Sequence, residues 1–105
     1  MPELDNIIHQ PIRLRIMSAL AALRPGDRVD FTYLKELLGT TDGNLGAHLA
    51  KLEEAGYILL EKAFVARKPR TFVLPTDKGR SAFQDHVKAL HALLEAPAPP
   101  KEPGQ

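Results

Sequence analysis

Two short apolar periodicities separated by only Gly39, Thr40 and Thr41 constrain this chain more than any other feature. Asp30 can cap a helix over Phe31 to Leu38, with Phe31, Leu34, Leu37 and Leu38 on one side and Gly39 to end it. Thr40 and Thr41 offer the next cap, and Leu45, Leu49 and Leu52 recur at i, i+4 and i+7 until Gly56 closes that helix. A short helix, a tight turn holding glycine and a second helix form the helix-turn-helix pattern.

The flanks supply the rest of a small domain. Pro11 suits the first turn of a helix, where its missing N–H is no loss, and Ile12, Ile16, Leu20 and Leu23 follow on one face. Arg24-Pro25-Gly26-Asp27 stops it, which predicts a first helix over 11–24. Upstream, Leu4, Ile7 and Ile8 are expected to form a short extra turn. After Gly56 the pattern changes: residues 57–65 are rich in aromatic and branched side chains and read as a strand. Residues 71–74 read as a second strand, and the link 66–70 is short enough to make an antiparallel hairpin. Thr76 can cap a last helix through Glu95, with Phe83, Val87, Leu90 and Leu94 as its apolar stripe and Leu93 widening it. Residues 96–105 hold four of the nine prolines and are expected to be an extended, disordered tail.

Composition narrows the function classes. At 105 residues, 44% hydrophobic and 26% charged, the chain is sized for one domain, expected over 1–95, which excludes a two-domain enzyme. It has no cysteine, so disulfides, thiolate metal sites and thiol nucleophiles are excluded, and a cytosolic protein fits best. The longest apolar run, Ile16 to Leu23, is interrupted by Ser18 and falls far short of the roughly 20 residues of a membrane span. The start, MPELDN, is acidic where a signal peptide is basic, which argues against export. Net charge is only +1, so a charge-driven partner must be met by a local patch. Residues 62–70 form one: Lys62, Arg67, Lys68 and Arg70, with no acid.

With the leucines of the third helix inward, Asp42, Gly43, Asn44, Ala47, His48 and Lys51 point outward. Asn pairs bidentately with adenine in the major groove, His and Lys reach guanine or phosphate, and Ala touches a thymine methyl. Gly43 and Gly46 each cost about 1 kcal/mol relative to alanine inside a helix, so something should compensate. For Gly46 the choices are room for the second helix or close approach of a DNA backbone; for Gly43, a first-turn position or that same approach. The hairpin charges Arg67, Lys68 and Arg70 are either solvated loop charges or a basic element that straddles the backbone or enters the minor groove. Their position beside an outward polar helix favours DNA.

Other chemistry finds little footing. His91 and Glu95 share a helical face, but His86 and His91 diverge by about 140° at 3.6 residues per turn, so the ordinary surface-histidine reading outweighs zinc. His9 reads as structural. Ser18 and Ser81 have no spacing that suggests a base and orienting acid, and no glycine loop cradles phosphate. No metal, cofactor or catalytic residue is expected.

Several strings resemble ArsR-type, MarR-like and related winged-helix transcriptional regulators. His9-Gln10-Pro11-Ile12-Arg13-Leu14-Arg15-Ile16-Met17 is similar to their first-helix signature. Residues 31–38 and 41–58 resemble their second and third helices, and the second of these strings, from Thr41 to Ile58, is the most specific part. Lys68-Pro69-Arg70-Thr71 and Leu74-Pro75-Thr76-Asp77-Lys78-Gly79-Arg80 resemble the wing and the helix that follows. The resemblance covers roughly residues 4–94. It implies a mainly α fold with a small β-hairpin (α+β), a winged helix-turn-helix whose C-terminal helix dimerises. It also implies recognition positions Thr41, Asp42, Asn44, Ala47, His48 and Lys51, and wing contacts Arg67, Lys68, Arg70 and Thr71. The chain lacks the cysteines of metal-sensing members and the long extra helices of larger ones, which leaves a small-molecule effector at the dimer seam unsupported.

The terminal stripe of Phe83, Val87, Leu90 and Leu94 exceeds what a small core covers, so part of it, with Leu4, Ile7 and Ile8, is expected at a homodimer interface. Two recognition helices about 34 Å apart would read a pseudopalindromic operator. The leading reading is therefore a dimeric, sequence-specific DNA-binding repressor; the alternative is a winged-helix protein-interaction module without sequence-specific DNA binding.

Overall fold

The computed structural model describes residues 3–97. Each helix starts at a side-chain cap. α1 (Pro11–Ala21) begins where the Gln10 side chain accepts from the Arg13 N–H at 2.9 Å. α2 (Phe31–Leu38) begins where Asp30 accepts from the Thr32 N–H at 2.7 Å, and ends at Gly39 in the left-handed region with φ 62°. Thr41 caps α3 (Asp42–Glu54) and Thr76 caps α4 (Asp77–Leu94). Such caps stabilise a helix by about 1 kcal/mol each.

Three strands, β1 (Val29–Asp30), β2 (Ile58–Val65) and β3 (Lys68–Pro75), form an antiparallel sheet in the order β1-β3-β2. Four helices around this small sheet make the expected α+β winged helix-turn-helix architecture. Ile16, Met17 and Leu20 of α1, Leu34 of α2, Leu45, Leu49 and Leu52 of α3, and Ile58 and Val73 of the sheet bury one another in a single core. No helix among the described residues is long and apolar enough to cross a membrane.

Several boundaries differ from expectation. The first helix ends at Ala21, not Arg24, because a residue before proline is steered out of the helical region. Leu23 closes it instead, its N–H reaching the Leu20 carbonyl at 3.1 Å. β1 has no sequence signal of its own; it exists through pairing of Val29 with Val73 and Asp30 with Phe72. β3 begins at Lys68 rather than Thr71, so the expected five-residue link is a two-residue turn of Ala66 and Arg67. Pro69 is tolerated inside β3 because β1 reaches only Phe72 and Val73, leaving β3 an open edge further out.

The N-terminal turn is present, but Ile8, expected at a dimer surface, is fully buried in the protomer core. The Asp5 carboxylate accepts from the Ile7 and Ile8 N–H groups and from the Tyr57 hydroxyl, which drives Ile8 inward. The buried face of α4 is also rotated from the expected stripe: Gly79, His86 and Ala89 face inward, while Val87 and Leu90 are half-buried and Leu94 is 81% exposed. His86, expected at the surface, is fully buried: its Nδ1 accepts from the Asp5 N–H at 2.9 Å, pinning the N-terminal segment to α4. The expected tail starts at Ala96, and from residue 98 on it lies outside the described residues.

Candidate nucleic-acid interface

The leucines that bury the inner face of α3 leave Asp42, Gly43, Asn44, Ala47 and Lys51 exposed on the other. The Thr41 hydroxyl accepts from the Asn44 N–H at 3.1 Å, and the exposed Thr40 hydroxyl region takes the Asn44 amide: Nδ2 donates to Thr40 Oγ1 at 2.7 Å. Thr40 therefore fixes the Asn44 rotamer while leaving the Oδ1 and one amide hydrogen for another partner. Lys35 Nζ holds Asp42 Oδ1 at 2.9 Å, which neutralises the acid on this face. His48 is half-buried, and burial, with the Arg13 charge adding to it, pushes its imidazole below the ordinary value of 6.5. At neutral pH it is a neutral hydrogen-bonding group rather than a cation.

A Cβ built on Gly43 or Gly46 would meet nothing within 4 Å. Room for α2 is thus not what Gly46 provides, and that reading is corrected. Both glycines leave α3 slimmer than its own packing requires, on a helix where each costs about 1 kcal/mol.

The hairpin has two different faces. Directly paired residues share a face, so Glu61 lies with Phe72 and Ala63 with Arg70 on one side, while Lys62 lies with Thr71 and Phe64 with Pro69 on the other. The first face, which Val65 and Lys68 extend towards the turn, has its acids held in ion pairs. Arg28 pairs with Glu61 at 3.0 Å and stacks 3.8 Å above the Phe72 ring, and Arg70 pairs with Asp30 at 2.7 Å. The hydrogen bond from Arg70 holds the Asp30 carboxyl below its usual range. Lys51, Lys62, Arg67 and Lys68 take part in no ion pair among the described residues. Arg67 occupies the turn with φ 65°, after Ala66 with φ 51°, a conformation L-residues adopt at a cost.

Of the residues singled out from sequence, those of α3 come together on one surface, and Arg67, Lys68 and Thr71 lie on the wing. Arg70 is drawn instead to the N-cap of α2, across a shallow groove that Lys68, Pro69 and Thr32 also line. From sequence, Thr40 reads only as a cap and Lys62 only as part of the basic run, and Phe64 is passed over. Phe64 is 79% exposed, and its signal was available: it shares strand parity with Ile58 and Leu60 but lies beyond the end of the core. His91 and Glu95 sit 3.7 Å apart on the exposed end of α4, away from His86.

Residues 12–94 match the family model described as a winged helix DNA-binding domain. An uncharacterized protein of Methanocaldococcus jannaschii, MJ0432, is 38% identical over 88 residues, covering 84% of this chain and 92% of that one. A solved structure of a transcriptional regulator homologue from Pyrococcus horikoshii superposes with a TM-score of 0.77 at 32% identity, covering 87% of each chain. HlyU from Vibrio cholerae shares the fold, with a TM-score of 0.55 at 18% identity over 87% of this chain and 86% of that one.

Proposed function

Because the chain belongs to the family of winged helix DNA-binding domains, we propose that it is a sequence-specific transcriptional repressor of the MarR/ArsR-like type, acting in the cytoplasm as a homodimer on a pseudopalindromic operator. The description of its Pyrococcus horikoshii relative as a transcriptional regulator homologue supports the regulatory role. One observation carries the reading: the acids near the wing are consumed by Arg28 and Arg70, and Asp42 by Lys35, which leaves Lys51 on α3 and Lys62, Arg67 and Lys68 on the wing outside any ion pair among the described residues. Such cations position a phosphate backbone, while Asn44 and the neutral His48 supply hydrogen-bonding groups for base edges. Exposed Leu93 and Leu94, continuous with half-buried Val87 and Leu90, supply the apolar surface for the second copy.

The test is fluorescence anisotropy on duplex DNA from upstream of the chain's own gene, against a shuffled duplex, across a salt series. A sequence preference saturating at two chains per site is expected. Arg67→Ala with Lys68→Ala should weaken binding to both duplexes and shallow the slope of log K against log salt by about 0.9 per lost phosphate contact. Asn44→Ala should instead relax the preference for the upstream duplex over the shuffled one. Equal, weak binding to both duplexes that neither change alters would refute the reading.

A further inference from the structure

The two faces of the wing are unequal in a way the function above does not use. On the face shared with Ile58 and Val73, which is the side of the sheet where the helices stand, the hairpin continues past the core through Lys62 and Thr71 to Phe64 and Pro69. That stretch carries a cation, a hydroxyl, an aromatic ring and a proline, with no acid. The two-residue turn makes Val65 and Lys68 the hydrogen-bonded pair that closes the hairpin, so Phe64 and Pro69 form the closer, non-hydrogen-bonded kind of pair. Pro69 thus backs the Phe64 ring with a rigid apolar neighbour, and the ring remains 79% exposed. Nothing in the core requires an aromatic residue there.

We propose that this helix-side face of the wing reads the minor groove, with Phe64 as an apolar wedge against a deformable base step and Lys62 on the adjacent phosphate. A duplex seated on the exposed face of α3 is approached by the side of the sheet on which α3 stands, and that side carries Phe64. Duplex DNA fits the charges: Lys62, Arg67 and Lys68 are free of ion pairs, and the nearby acids Glu61 and Asp30 are already held. Lys62 on the same face and Arg67 at the turn, with no acid beside the apolar ring, suit a groove walled by phosphates, where inserted apolar side chains unstack a step and bend the helix. On the opposite face, which also carries Lys68, the ion pairs of Arg28 with Glu61 and Arg70 with Asp30 act as a strut that keeps the hairpin rigid.

The proposal rests on the chain binding duplex DNA, and the experiment separates the two. The probe is a duplex of about 30 base pairs with central TA steps, labelled at its ends with a donor and an acceptor dye. The parent protein should bind and raise energy transfer through bending. Phe64→Ala should keep the parental melting curve and the parental salt slope, because no charge is lost. It should bind roughly tenfold more weakly, as expected for an aromatic side chain only partly desolvated, and should lose the bend. Phe64→Leu should recover part of both. Parental affinity and bend in Phe64→Ala would overturn the proposal while leaving DNA binding intact. So would a loss of dimer in Phe64→Ala on sedimentation, which would assign the ring to a second copy of the chain. A parent that binds no duplex at any salt would remove both readings.

Discussion

Gly79 is the residue whose replacement should damage the fold most for the fewest atoms added. A Cβ there would lie 2.0 Å from the Tyr57 carbonyl oxygen, 2.8 Å from its carbon and 2.9 Å from its Cα. All three are backbone atoms, and they are fixed. The Thr76 N–H donates to that oxygen at 3.0 Å, and the Thr76 hydroxyl donates to the Gly56 carbonyl at 2.6 Å. Restoring an ordinary contact of about 3.5 Å requires α4 to retreat on the order of 1.5 Å, which breaks both hydrogen bonds. Overpacking at its upper range costs about 3 kcal/mol. Two lost hydrogen bonds add about 1–2 kcal/mol. The better helix propensity of alanine returns about 1 kcal/mol, for a net loss of about 3–4 kcal/mol. In a domain of this size Gly79→Ala should therefore melt roughly 12–20 °C below the parent by far-ultraviolet circular dichroism at neutral pH. Gly46→Ala is the matched control: its Cβ meets nothing within 4 Å, so the same substitution should gain about 1 kcal/mol and raise the midpoint by about 4 °C. Gly79→Ala melting within about 2 °C of the parent, or Gly46→Ala falling as far as Gly79→Ala, would refute the steric argument.

Two further outcomes follow from buried and strained groups. Burial, reinforced by His9 and opposed by Asp5, holds the His86 imidazole below 6.5, so the unfolded chain takes up the extra proton first; stability is complete above pH 6.5 and declines as pH falls towards the folded-state value. The melting midpoint should drop between pH 7.5 and 5.5, a range about the ordinary imidazole value of 6.5, and His86→Asn, which keeps an acceptor for the Asp5 N–H, should flatten that slope without abolishing it, since His48 shifts the same way; an unaltered slope would exclude His86 as the source. In the wing turn, Ala66→Asn places a residue suited to positive φ where Ala66 has φ 51°, and should stabilise the protein by about 1 kcal/mol with the salt dependence of DNA binding unchanged; a lower midpoint would refute the strain.

Much of the fold is legible because its signals are local. The caps at Asp30, Thr41 and Thr76 are set by side chains that reach a backbone N–H two or three residues on, and the leucines of α3 mark their own buried face. What escaped depends on distant partners. β1 is two residues long and exists through β3, and the start of β3 at Lys68 is set by a turn whose residues, Ala66 and Arg67, carry none of the usual turn chemistry. The rotation of α4 was hidden because a histidine takes an inward position that leucine periodicity reserves for apolar side chains. His86 is tolerated there because Asp5, 81 residues away in sequence, supplies its hydrogen bond. The Asp5 carboxylate, accepting from the Ile8 N–H, turns inward Ile8, which the chain's apolar pattern alone assigns to a surface.

The candidate site was half legible for a related reason. A run of basic residues can be counted in a sequence, but ion pairing decides which of them remain available to a ligand. Arg70 belongs to the basic run, yet Asp30 holds it at 2.7 Å and fastens the wing to the start of α2. Its removal would turn a neutral pair into a free acid beside the groove, so an Arg70→Ala variant adds one negative charge near a phosphate-binding surface although Arg70 itself was not available to a phosphate. Lys62 has the opposite fate: with Glu61 turned to the other face and held by Arg28, it faces outward beside Phe64 with its charge unspent. Strand parity, rather than the number of positive residues, therefore sorts the wing into a supporting face and a binding face. The register that buries Ile58 and Val73 also directs Lys62 and Phe64 towards the side of the sheet that carries α3.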